Sequence, residues 1–175
     1  MKITVEKAAL SHLEEIGRLY DTLCDQLRSG RNYPGWQKGV YPTAADAELG
    51  IREGALYIAK AEGEIAGTVI LRHTPEEGYQ TVRWLSESDY GRIYVLYTLA
   101  VHPRWQRRGV GERLLRFAEE KARAEGCLSL RLDVARGNEP AERLYRRCGF
   151  QYVGAASLGY EAYGLPWFEL YEKML

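Results

Sequence analysis

The residue types best suited to chemistry gather in one short stretch, Gln106-Arg107-Arg108-Gly109-Val110-Gly111, which opens onto the apolar-periodic run ERLLRFAEEKA. The first four amides of a helix lack intrahelical acceptors, and the aligned peptide dipoles add about half a positive charge there. Glycines at 109 and 111 let an anion approach those amides closely, and the two arginines add field strength. The stretch reads as an anion cradle, most suited to phosphate. A tight strand-to-helix turn with solvated arginines is the other reading these residues allow. Two familiar nucleotide loops are excluded, because G-x-x-x-x-G-K-[ST] and G-x-G-x-x-G both fail: Gly111 is followed by Glu112, Arg113 and Leu114.

The elements that must position this stretch belong to an ordinary globular chain. At 175 residues, 46% hydrophobic and 27% charged, one soluble domain spanning residues 1–175 is expected. Lys+Arg and Asp+Glu both total 24, which speaks against a globally basic nucleic-acid binder and against an acidic disordered tail. The balance hides an asymmetry. From His102 to Arg147 there are 12 Arg/Lys against 7 Asp/Glu, a local surplus of +5 that contains the cradle. Cys24, Cys127 and Cys148 are widely spaced and form no C-x-x-C pair, so neither a disulfide framework nor a metal site is expected, and a reducing, cytoplasmic setting fits. The N-terminus carries acidic residues and no apolar signal core, and no apolar run reaches the length of a membrane span, so neither export nor a membrane partner is expected.

Along the chain, KITVEKA alternates as a short strand, and Leu13, Ile16, Tyr20, Leu23 and Leu27 recur at helical spacing behind Ser11 as cap. RSGRNYPGWQKGVYPT has no periodicity and is long enough to suspect of function, until Thr43 caps a short helix ending at Gly54. ALYIAKA and IAGTVILR flank Glu62, Gly63 and Glu64 as a hairpin. His73 to Gly91 gives no clear pattern. IYVLYTLAV is a continuous apolar run stopped at Pro103, as for a strand buried on both faces. The helix after Gly109 presents Leu114, Leu115, Ala118 and Ala122 and stops at Gly126; LSLRLDVA is the next strand. Asn138 then caps a third long helix closed by Gly149, and FQYVGAASLGY and WFELYEKML form a final strand pair joined by a glycine-containing turn. Strands and helices mixed in this way, with antiparallel edges, predict an α/β or α+β sheet covered by helices.

The cradle resembles the [RQ]-x-x-G-x-[GA] pyrophosphate loop of the GNAT superfamily of acyl-CoA N-acyltransferases. LAVHPRWQ before it is similar to the family's strand and loop, and NEPAERLYRRCGF resembles its later N-x-x-A-x-x-[LF]-Y-x-x-x-G-F segment. The likeness is sharp over Ile93 to Phe150 and preserves order across the flanks. It implies a mixed, largely antiparallel sheet of about six to seven strands with helices on both faces. It also implies acetyl-CoA as co-substrate, with pyrophosphate on the amides of Arg107, Arg108, Gly109, Val110 and Gly111 behind Gln106. The pantetheine arm would pair with the backbone of Leu99, Ala100 and Val101 and take a hydrogen bond from Asn138. Tyr145 matches the tyrosine that protonates the leaving thiolate in many members. The helix agrees: seven residues at about 100° each bring Tyr145 within roughly 20° of Asn138, so both could face one cleft. A helix cap and a core-edge aromatic are what the same two residues would be without that resemblance.

Protonating a thiolate of pKa about 8.5 from a phenol of about 10 is uphill by about 2 kcal/mol in water, so desolvation must close the gap. A phenol in that role also predicts falling activity at high pH as it ionises. The amine in turn must lose a proton to become nucleophilic. Some family members carry a glutamate on the central strand for this, but IYVLYTLAV offers only Tyr94, Tyr97 and Thr98, leaving His102, Asp133 and Glu161 as candidates, acting directly or through water, with a loop residue and a strand-end turn former as the other readings of His102 and Asp133. The acceptor expected is a primary amine of a small molecule or peptide, which Trp36 and Tyr41 in the aromatic loop, or Tyr160, Glu161 and Tyr163 in the late hairpin, could clasp by cation–π contact; packing is the other use of such aromatics. A homodimer is among the assemblies this allows. Three functions are thus weighed: a CoA-dependent N-acyltransferase, a non-catalytic acyl-CoA-binding regulatory module of the same fold, and a nucleic-acid binder. Tyr145 favours the first over the second, and zero net charge with no groove-reading motif disfavours the third.

Overall fold

The computed structural model describes all of residues 1–175. Its regular elements are β1 (Ile3–Lys7), α1 (Leu13–Ser29), α2 (Ala44–Arg52), β2 (Leu56–Ala61), β3 (Glu64–Arg72), β4 (Ile93–Val101), α3 (Val110–Ala124), β5 (Ser129–Ala135), α4 (Glu139–Arg147), β6 (Gln151–Ala156) and β7 (Phe168–Met174). The seven strands form one sheet in the order β1-β2-β3-β4-β5-β7-β6. β1–β2, β2–β3, β5–β7 and β6–β7 pair antiparallel, whereas β4–β5 is parallel; a parallel pair needs a crossover, which α3 supplies. This is the mixed, largely antiparallel α/β architecture that the sequence predicts. Two compact units are distinguished, one of Met1–Asn32, Trp36–Leu71 and Tyr97–Phe117, the other of Tyr33–Gly35, Arg72–Leu96 and Ala118–Leu175. No helix is long and apolar enough to cross a membrane.

In the first unit, the helical spacing of α1 buries Ile16, Leu19, Tyr20 and Leu23 against Ala47, Leu56, Ile58, Ile65 and Ile70. The start of α1 corrects the sequence reading: a 3-10 turn at Leu10–His12 comes first, and His12, not Ser11, holds the N-cap, its Nδ1 accepting from the Ala9 amide at 3.0 Å. Thr43 caps α2 as expected, in a reciprocal box with Asp46. Gly67 of β3 is required by packing: a Cβ there would stand 2.8 Å from Ala100 O and 2.9 Å from Val110 Cγ1. The start of α3 thus lies against β3 at a distance only a bare backbone permits.

In the second unit, β5 alternates strictly: Leu130, Leu132 and Val134 are buried apolar residues, and Ser129, Arg131 and Asp133 point the other way. Segment 73–92, which has no periodicity, covers this polar row with two 3-10 turns at Glu77–Thr81 and Tyr90–Arg92. Ser86 Oγ lies 3.2 Å from Ser129 Oγ, Arg131 donates to Ser86 O and to the Tyr90 hydroxyl at 2.8 Å each, and Tyr79 donates to Asp133 Oδ2 at 2.6 Å. Arg131 also pairs with Glu172, its direct partner in the β5–β7 register, at 2.7 Å with both side chains essentially buried. Burial pushes the Glu172 carboxyl up, but hydrogen bonds from Ser86, Arg131 and Ser129 outweigh it and hold the group below the usual carboxylate range.

Two further elements depart from expectation. α4 is a short helix of nine residues, because the reverse at Gly149, with φ +89°, follows so soon. The link between β6 and β7 is no tight turn: residues 157–167 form a loop with a 3-10 turn at Glu161–Tyr163 and a bridge between Tyr160 and Leu165. That loop is held from outside. A Cβ at Gly78 would fall 2.3 Å from Ser157 O, so the turn carrying Tyr79 packs backbone to backbone against it.

Candidate active site

The cradle lies in the first unit. The parallel ladder of β4 with β5 closes at Leu96↔Leu132, and Thr98, two residues on, has φ +49°. A β-branched residue takes that conformation at a cost of about 1–3 kcal/mol, so surrounding bonds must impose it. The Thr98 hydroxyl is hydrogen-bonded to the Tyr41 hydroxyl, and its carbonyl accepts from Thr68 Oγ1 at 3.3 Å, which in turn meets the Tyr20 hydroxyl at 3.1 Å. Beyond Thr98 come Leu99, Ala100 and Val101, and the His102 amide donates to Ala66 O at 2.9 Å. Gln106 folds back over this strand end, its Nε2 donating to Val101 O at 3.3 Å and to Gln26 Oε1 at 3.0 Å.

Arg107 (φ +61°) and Gly109 (φ +84°) then take left-handed conformations on either side of Arg108, an alternation that turns successive amides toward one concave side. A Cβ at Gly109 would meet nothing within 4 Å, so glycine is called for there by φ and by what must approach the backbone, not by internal packing. The helical ladder of α3 begins with the Arg113 amide on Gly109 O at 2.9 Å, which leaves the amides of Val110, Gly111 and Glu112 ahead of it. Val110 turns its side chain into the core, 1% exposed, and offers only backbone. Arg108 lies over the buried Trp105 ring at 5.4 Å, and Arg104 over the same ring at 5.1 Å while paired with Glu64. The arrangement suits a phosphate-bearing ligand.

Trp36 and Tyr41 lie in the same unit and are part of its framework. Asn32 and Trp36 exchange hydrogen bonds of 2.7 and 3.2 Å, the half-buried Trp36 packs on the core, and the two rings meet edge to face at 6.0 Å.

Asn138 and Tyr145 lie in the second unit. Asn138 caps α4, Oδ1 accepting from the Ala141 amide at 3.4 Å, which leaves the side-chain amide hydrogens as what it can offer a ligand. The Tyr145 ring is buried, 5.9 Å from Phe150 and 6.4 Å from Tyr171. Burial raises its phenol well above the usual tyrosine range, and the charges of Asp133 and Cys148 raise it further. Asp133 itself is part-buried, and desolvation pushes its carboxyl up to about 6 against the pull of the Tyr79 hydrogen bond, with Glu76 adding to the rise. The sequence reading names Asp133 only as one alternative and Tyr79 not at all. The signal was present in Ser129-Leu-Arg-Leu-Asp-Val134, a polar row of period two on an otherwise apolar strand. The other two alternatives are placed differently. His102 accepts the Arg104 amide on Nδ1 at 3.1 Å, and Glu161 is exposed and held below the usual carboxylate range by the Ser157 hydroxyl.

Comparison with known proteins bears on this geometry. The model of the acetyltransferase (GNAT) family matches residues 17–150. The uncharacterized N-acetyltransferase YesJ of Bacillus subtilis (strain 168) is 29% identical over 136 residues, 78% of this chain and 73% of that protein. Among solved structures, a GNAT-family acetyltransferase from Streptococcus agalactiae 2603 shares the fold with a TM-score of 0.84 at 19% identity, covering 99% of this chain and 95% of that one. The PaiA N-acetyltransferase of Thermoplasma acidophilum, solved in complex with coenzyme A, has a TM-score of 0.71 at 16% identity over 100% of both chains. The family match takes in β4, the Arg107–Gly111 cradle and all of α4; this chain belongs to the GNAT family of acetyltransferases.

Proposed function

We propose that the protein, acting as one GNAT domain over residues 1–175, transfers the acetyl group of acetyl-CoA to a primary amine of a small molecule or peptide. The observation that carries this reading is the cradle: left-handed Arg107 and Gly109 set open amides at the mouth of α3, directly after a strand end closed by Gln106. The cradle fits the pyrophosphate of coenzyme A, which the amides of Arg107 to Gly111 would hold; the family resemblance adds the backbone of Leu99, Ala100 and Val101 for the amide-bearing arm and the Asn138 side chain as a hydrogen-bond partner for it. When bound, the thioester supplies an activated acetyl group whose leaving sulfur needs a proton. Tyr145 is the residue that would provide it. Trp36 and Tyr41 enter the reading as acceptor contacts.

To Asp133, on the polar face of β5 with Tyr79 donating to its Oδ2 at 2.6 Å, we assign the amine's proton. Its carboxyl, at about 6, is mostly ionised at pH 7 yet more basic than an ordinary aspartate, as a general base should be. It is also near enough to Tyr145 for its charge to raise the phenol. This alters one expectation from sequence. A phenol raised this far stays protonated throughout the working range, so the alkaline limb expected for an ordinary tyrosine moves out of reach. The pH dependence lies instead on the acid side: kcat/KM should climb as pH rises through about 6, where Asp133 loses its proton. The raised phenol is also a weaker acid toward the thiolate, so the transfer depends on burial raising the thiol by the same desolvation.

The direct test is thiol release from acetyl-CoA with a panel of primary amines. If none of the amines elicits thiol release, acyl-CoA binding without turnover is the reading that stands. Binding is tested at Gly109→Val, where valine must take a left-handed φ and place its side chain where the pyrophosphate sits; calorimetry with CoA should show affinity reduced at least tenfold, and parent-like affinity would misplace the cradle. Tyr145→Phe keeps the ring packed on Phe150 and Tyr171 and removes one oxygen. We expect CoA affinity to survive and kcat to fall by about a hundredfold, the low end for general acid catalysis because the phenol is so weakly acidic. Turnover within about threefold of the parent, with chemistry rate-limiting in single-turnover measurements, would make Tyr145 a packing residue.

A further inference from the structure

Tyr79 lies in the 3-10 turn Glu77–Thr81, outside the helices and strands, yet it is held on every side. Its ring is 1% exposed and tilted against Trp84 at 5.1 Å. Its backbone is fixed on both sides: its amide donates to Glu76 O at 3.0 Å, its carbonyl accepts from Trp84 Nε1 at 2.9 Å, and Thr81 Oγ1 closes the turn on Gly78 O at 2.8 Å. The contact of Gly78 with Ser157 O locks the same turn against the β6–β7 loop. All of this delivers one hydroxyl, at 2.6 Å, to one oxygen of Asp133.

A buried tyrosine needs a partner for its hydroxyl, and a main-chain carbonyl would serve that need. A part-buried carboxylate is a costly choice for structure alone, because Asp133 has no cation of its own: Arg131, two residues away on the same face, is already engaged by Glu172, Ser86 and Tyr90. The groups that face Asp133 are Tyr79 and Glu76 from segment 73–92 and Tyr145 from α4, while its register partner on β7 is the apolar Leu170.

We propose that Tyr79 is a positioning residue for the transfer reaction: by donating to Oδ2 of Asp133 it fixes the carboxylate's orientation and favours its ionised form, so that Oδ1 meets the amine. The proton then passes from the amine nitrogen to Oδ1, breaking an N–H bond and forming an O–H bond, and leaves to water between turnovers. The inference rests on the reading of Asp133 as base, and the opposing pulls of burial and the Tyr79 bond on its carboxyl agree with it.

The test reads Asp133 without turnover. In protein labelled with [13C]aspartate, the side-chain carboxyl signal is assigned by its loss in Asp133→Asn and titrated in parent and Tyr79→Phe. The Asp133 midpoint should rise by about one pH unit when the donor is removed. Replacing Tyr79 by 3-fluorotyrosine, a stronger donor that keeps ring and hydroxyl, should lower it, which keeps the test open if Tyr79→Phe folds poorly. An unmoved midpoint in both variants overturns the proposal. With acetyl-CoA and a reactive amine from the panel, the acid limb of kcat/KM should follow the midpoint in each variant. A limb that stays while the midpoint moves overturns Asp133 as base, and with it the catalytic meaning of the contact; a midpoint that stays while the limb moves rejects the Tyr79 role alone.

Discussion

Asp133→Asn is expected to remove most of the activity and yet to make the protein harder to unfold at neutral pH. The loss follows from deleting the proposed base, worth about a hundredfold to ten-thousandfold. The gain follows from linkage. The Asp133 carboxyl lies at about 6 in the folded protein against an ordinary 3.8, so between those values the folded state binds more protons than the unfolded one. Stability therefore falls as pH rises from about 4 to about 6, by about 3 kcal/mol in all. Asparagine has no charge to desolvate and can still accept from Tyr79, although its amide hydrogens need a partner. We expect the Tm of the variant to exceed the parent's by roughly 5 °C at pH 7.5 and the difference to vanish near pH 4. Thermal unfolding at several pH values measures both. A variant less stable than the parent at pH 7.5, or a difference that ignores pH, would contradict the burial cost assigned to Asp133.

Arg131→Met should have a comparably large effect of the opposite sign. Methionine fills much of the volume under Trp84, whose ring lies 4.3 Å from the guanidinium, but strands Glu172, 0% exposed, without its counter-charge. Breaking a buried pair from one side costs about 3–5 kcal/mol. Glu172, held below the usual carboxylate range, stabilises the fold above its unfolded value and loses that contribution as pH falls, so the penalty of the single variant should shrink in acid. Arg131→Met with Glu172→Leu should recover only part of the loss, because it removes the stranded charge but leaves the Leu85 and Ser86 amides and the Ser86 and Ser129 hydroxyls without the carboxylate they donate to. Urea unfolding of the three proteins decides this. A loss under about 1 kcal/mol for Arg131→Met would mean that the ion pair does not hold segment 73–92.

What could be read from the sequence was local. The stop at Pro103, the apolar stripe of α3 and the cap at Asn138 each depend on residues within a turn of one another, and each is found where the sequence predicts it. What escaped was set at long range. Segment 73–92 has no periodicity because its order comes from side chains of β5 and β7, up to 87 residues away for the Leu85 amide on Glu172. Asp133 looks like a strand-end turn former until Tyr79, 54 residues earlier, is seen to hold it. The β6–β7 link looks like a simple turn because the contact of Ser157 with Gly78 leaves no trace in composition. Trp36 and Tyr41 allow clasping and packing alike in the sequence, and their contacts in the fold, edge to face with each other and with Tyr41 bonded to Thr98, agree with either.

Segment 73–92 has almost no backbone ladder of its own, and its main attachments are the polar row of β5 and the carboxylate of Glu172. Its local opening energy is therefore borrowed, and borrowed as a block: Tyr79, Leu85, Ser86 and Tyr90 are fastened to two neighbouring strands, so they should detach and return together as one cooperative unit. The lifetime of the hydroxyl on Asp133 is then governed by the Arg131–Glu172 ion pair, two residues along β5. Wear at that neighbouring anchor would be felt first as an Asp133 carboxyl that titrates at the wrong pH, long before the sheet itself gave way.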